Sequence, residues 1–78
     1  MEFSFTAFVG IDVAKHSWDM HLLPEGRTLS GDYTSKELQQ LIRHLPAPGT
    51  CLIVVEATGG YEQRLVAELA DAGHQVAV

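Results

Sequence analysis

The sequence predicts an α/β fold with a mixed sheet and the element order β-β-β-α-β-α-β. Three observations predict it. Two continuous apolar runs, FTAFVGID at residues 5–12 and CLIVV at residues 51–55, read as sheet strands. Between them SWDMHLL, at residues 17–23, alternates with a period of two before a Pro-Glu-Gly turn signal. Two amphipathic helical patterns come next, each leading into a strand, and such strand–helix–strand crossovers require parallel pairing.

Each element has its own local cause. Residues 5–12 lack alternation and are expected to be a strand buried on both faces. Val13-Ala14-Lys15-His16 forms a short turn. In residues 17–23, Trp18, Met20 and Leu22 share one face and Ser17, Asp19 and His21 the other, as in a half-covered strand. Pro24-Glu25-Gly26 returns the chain into a weaker strand at residues 27–33, which carries Gly31. Thr34 and Glu37 then fit a capping box, and Leu38, Leu41, Ile42 and Leu45 follow as one helical stripe. Pro46-Ala47-Pro48-Gly49 stops that helix. After residues 51–55, Glu56 ends the strand and Ala57-Thr58-Gly59-Gly60 is a loop. A second helix spans residues 61–72, with Leu65 and Leu69 on one stripe and Gly73 at the position after its cap. Residues 74–78 (HQVAV) open a further strand, expected at the sheet edge beside residues 51–56. Residues 1–78 therefore read as the front of one domain, with residues 1–4 flexible and one sheet face bare.

Composition bounds the function. With 46 % hydrophobic and 19 % charged residues, the 78-residue chain is too apolar for a disordered tail and too charged for a membrane span. A net charge of −5 argues against a self-sufficient phosphate-binding module, whose grip comes from counterion release. Cys51 is the sole cysteine, which excludes an internal disulfide and a four-cysteine zinc site. The opening residues lack a basic region before the apolar run, and no run approaches the roughly 20 residues that cross a bilayer. The expected location is the cytoplasm.

Asp12 closes the first apolar strand and Glu56 the second. As parallel neighbours about 4.8 Å apart, these strands bring both carboxylates to one sheet edge. Such a pair suits Mg²⁺ and two-metal phosphoryl transfer; alternatively, each acid simply marks where an apolar strand meets solvent. Thr58, Gly59 and Gly60, ahead of a helix, suit a nucleic-acid phosphate or only a turn that needs glycine. Lys15 suits a phosphate partner or a solvated turn lysine. The four histidines lack the spacing of helical zinc ligands, and Cys51 reads as an inert core thiol.

The segments FVGIDVAK (residues 8–15), DMHLLPEGRT (19–28), VVEATGGYE (54–62) and LVAELADAGHQVAV (65–78) together resemble the N-terminal domain of the insertion-sequence-110 family of transposases. The resemblance implies an RNase H-like, Holliday-junction-resolvase-like nuclease domain with a D-E-D-D acid set. Asp12 matches the first acid and Glu56 the second, both as Mg²⁺ ligands and catalytic residues; the remaining two acids of the family lie beyond residue 78. It further implies DNA transposition and recombination, DNA binding, an element-encoded guide RNA and a homo-oligomer in the full-length protein, with the 78-residue chain alone inactive. An actin-like or sugar-kinase ATPase shares the element order. It needs small residues after the first acid, where this chain has Val13-Ala14-Lys15-His16. A non-catalytic remnant of the nuclease fold is the third reading.

Overall fold

A single sheet carries every strand of the computed structural model, which describes residues 5–57 and 59–78. In chain order the elements are β1 (Ala7–Val13), β2 (Ser17–Leu23), β3 (Arg27–Asp32), α1 (Ser35–Arg43), β4 (Cys51–Ala57), α2 (Glu62–Asp71) and β5 (Gln75–Ala77). This is the order expected from the sequence. Residues 1–4, expected to be flexible, lie outside the described residues, as does Thr58. The sheet order is β3-β2-β1-β4-β5. The first three strands form an antiparallel meander, and β4 then joins β1 in parallel while β5 joins β4 in parallel. Five mixed strands with two helices in this order are compatible with an RNase H-like fold.

The core lies on one side of the sheet. Val9, Ile11 and Val13 of β1, Trp18, Met20 and Leu22 of β2, and Cys51, Ile53 and Val55 of β4 face Leu38 and Leu41 of α1 and Leu65 and Leu69 of α2. The opposite face is open, and this corrects the expectation that β1 is buried on both faces. Phe8 is 50 % exposed and Asp12 is exposed; on β4, Val54 is exposed as well. The topology supplies the reason. The crossovers β3-α1-β4 and β4-α2-β5 both step across the sheet in the same direction, so crossovers of one hand lay both helices on the same face. The bare side expected of the sheet is therefore the side that carries Asp12 and Glu56.

Local boundaries moved by a residue or two. Val13 belongs to β1 because it pairs with Trp18 and enters the core, which leaves a turn of residues 14–16. β3 stops at Asp32, freeing Tyr33 for contacts described below. At the start of α1 the Thr34 hydroxyl accepts a hydrogen bond from the Glu37 amide at 3.3 Å, the first half of the anticipated capping box. Gly73 follows α2 with φ +88°, a left-handed turn that lets His74 enter the interior.

Candidate functional site

Strand register assembles the acids. Asp12 is the partner of Glu56 in the parallel β1–β4 pair and of Asp19 in the antiparallel β1–β2 pair. Since paired residues share a face, Asp19, Asp12 and Glu56 form one row on the open side of the sheet, and all three are exposed. Ser30 of β3 continues the row beside Asp19. Neighbouring strands in a sheet lie about 4.8 Å apart, within the span a hydrated divalent cation can bridge. Among the described residues none of the three carboxylates has a side-chain hydrogen bond or ion pair, so their oxygens remain open to solvent and ligands.

Donor chemistry limits what the row can hold. Two adjacent carboxylates fit Mg²⁺, which takes one or two protein carboxylates and completes its shell with water and phosphate oxygens. Among the described residues no group of three or more His, Cys, Asp or Glu side chains is arranged to hold an ion. Asp19 therefore borders the pair without closing a protein cage around it. On its far side a shallow groove of about 290 Å³ is lined by Asp19, His21, Thr28, Leu29 and Ser30.

Two connections flank the pair. The turn after Asp12 is closed by the Ala14 amide donating to the Ser17 carbonyl at 2.8 Å, and Lys15 is exposed at its tip. The connection after Glu56 runs through Gly59 and Gly60, with φ of +73° and +77°. Those values alone require glycine, whatever else the loop does. Two early amides of α2 are engaged inside the protein. Gln63 N–H donates to the Gly60 carbonyl at 3.4 Å, and Leu65 N–H donates to the Tyr33 hydroxyl at 3.1 Å.

The chain matches the model of a DEDD-type, insertion-sequence-110 transposase family over residues 9–78. It belongs to that transposase family. A comparison with curated proteins finds no match. Members of a transposase family act on DNA. Among the described residues, no helix is long and apolar enough to cross a membrane.

For a transposase domain, sequence reasoning located Asp12 and Glu56 on neighbouring parallel strands, and the register agrees. Asp19 joins them in the row, although on its own it is an ordinary polar residue of a half-covered strand. Its alternation against Trp18 and Met20, with a three-residue turn after Val13, is the signal that puts it opposite Asp12. Tyr33 carried no such signal, because its hydroxyl partners are far along the chain. Cys51 lies in the core, where burial raises its thiol pKa, and its Sγ lies 3.9 Å from Nδ1 of buried His74.

Proposed function

We propose that this domain contributes two of the four metal-binding acids, Asp12 and Glu56, to the DNA-cleaving centre of a transposase. The observation that carries the reading is the parallel register that sets these two carboxylates side by side on the open face. Bound Mg²⁺ would activate a nucleophile and stabilise the leaving oxygen of the cut strand. The chain's own part is to hold two hard oxygen ligands at fixed spacing and to leave the remaining positions open to phosphate. Lys15 follows Asp12 in the chain, and Thr58, Gly59 and Gly60 follow Glu56; in this reading they contact the phosphate backbone of the DNA.

Net charge −5 and the row of acids make the isolated domain a poor DNA binder, so the whole protein supplies most of the grip. By the same reading the full transposase is cytoplasmic, works as a homo-oligomer and is guided by an element-encoded RNA, while this 78-residue chain alone does not cut. The ATPase alternative is disfavoured by the glycine-free turn at Ala14-Lys15-His16, and a non-catalytic remnant would not need the acids to be aligned.

Titration of the isotope-labelled chain with Mn²⁺ tests the reading. Amide signals around Asp12 and Glu56 should broaden first, at millimolar metal, and Asp12→Asn should abolish the effect. Broadening centred on His21 or His44, or none at all, would count against it. In the full transposase, Asp12→Asn and Glu56→Gln should eliminate strand cleavage and spare DNA binding.

A further inference from the structure

We infer that Tyr33 is a positioning residue for the acid pair, tying the turn after Asp12 to the helix start after Glu56. The inference rests on the nuclease reading of those two acids. Tyr33 stands between β3 and α1 and reaches both connections at once. Its backbone N–H donates to the His16 carbonyl at 2.9 Å, holding the turn that follows Asp12. Its hydroxyl donates to the Tyr61 carbonyl and accepts from the Leu65 N–H at 3.1 Å.

The hydroxyl's two partners are a matched pair. Tyr61 caps α2, and its carbonyl and the Leu65 amide are the acceptor and donor of the helix's opening i to i+4 position. A single phenol group therefore engages both ends of that opening. The site needs such a tie. Tyr61 makes no side-chain capping bond, and the two glycines before it have no side chains with which to brace the helix start. Arg64 clasps the arrangement from outside. Its guanidinium lies over the Tyr33 ring, 5.9 Å from the centroid, and donates to the Ser35 hydroxyl.

The consequence concerns geometry more than stability. Asp12 and Glu56 are fixed along their strands by the ladder, but the backbone leaving each strand is not. With Tyr33 in place, the turn and the loop move as one unit about the two carboxylates. Without the hydroxyl the loop after Glu56 gains freedom while the ring still fills its place.

Tyr33→Phe removes only the hydroxyl, so it isolates this role. In the 78-residue chain we expect amide exchange at Leu65 to rise at least tenfold while Ile11 and Ile53 stay protected. Mn²⁺ broadening at Asp12 and Glu56 should need three- to tenfold more metal. Arg64→Met, which removes the outer clasp, should give the same pattern at smaller amplitude. A purely stabilising hydroxyl would lower the melting temperature and leave the metal titration of the folded chain unchanged; that result overturns the inference and leaves the nuclease reading standing. Unchanged Leu65 exchange in Tyr33→Phe overturns it too. Absence of broadening at Asp12 and Glu56 in the unmodified chain defeats the nuclease reading itself, and this inference falls with it.

Discussion

Gly31 of β3 lies directly under the indole of Trp18, its cross-strand partner on β2. A Cβ at position 31 would sit 2.6 Å from the indole Cζ2, closer than any real carbon contact. The ring cannot easily yield, because it is buried and its Nε1–H donates to the Asp32 carbonyl at 3.1 Å. Gly31→Ala should therefore destabilise the fold by roughly 1–3 kcal/mol, the usual cost of overpacking a core. Urea melts followed by Trp18 fluorescence measure it. A change within about 0.5 kcal/mol, the range of an ordinary surface substitution, would mean the indole does not cover Gly31.

Thr34 is the next point of leverage. Thr34→Ala removes the side-chain acceptor for the Glu37 amide and should lower stability by about 1 kcal/mol. Thr34→Ser keeps the oxygen and should lose much less. Thermal melts of the two variants side by side distinguish the cap from packing of the threonine methyl group.

Burial of His74 and Cys51 makes stability depend on pH at both ends. Desolvation lowers the His74 pKa and raises the Cys51 pKa, so the folded chain favours both groups neutral. For His74 the stabilising state is intact above the unfolded pKa near 6.5 and is lost as pH falls below it towards the depressed folded value. For Cys51 it is intact below the unfolded thiol pKa near 8.5 and is lost as pH rises above it towards the raised folded value. Denaturant melts should show His74→Leu losing less stability than the native chain between about pH 7 and pH 5. Cys51→Ala should flatten the alkaline limb instead. Parallel curves for His74→Leu and the native chain would contradict the assignment.

The open face also predicts association. Phe8 pairs with Leu23 on one side and Leu52 on the other, and Phe8 and Leu23 are 50 % and 54 % exposed. A contiguous apolar strip of this kind favours self-association at high concentration. Phe8→Thr combined with Leu23→Thr should reduce that association in sedimentation experiments while leaving the melting temperature nearly unchanged. Equal association of both proteins would remove this face from consideration.

Much of the fold is legible in the sequence because its causes are local. The alternation of Trp18, Met20 and Leu22 sets the inward face of β2, Thr34 starts α1, and Gly73 ends α2. The acids Asp12 and Glu56 are legible for the same reason: each terminates an apolar run. The misreading of β1 has a physical origin. Phe8 and Ile11 look equally buried as letters, since an apolar run records hydrophobicity and not which side a helix covers. Asp19 is legible through the hairpin it shares with Asp12, whereas the contacts of Tyr33 are not.

The sequence by itself determined the element order, the helix limits to within two residues, and which two carboxylates stand near the C-terminal ends of the parallel strands. Each depends on neighbours only a few positions away. Tertiary structure decided the rest: that both helices cover one face, that this leaves the row of Asp19, Asp12 and Glu56 open, and that the Tyr33 hydroxyl meets Tyr61 and Leu65. Crossover handedness, strand register and a side chain's reach across 28 to 32 residues are properties of the closed chain in three dimensions. No pattern within a single segment encodes them, because the energy that selects them arises only when distant segments pack together.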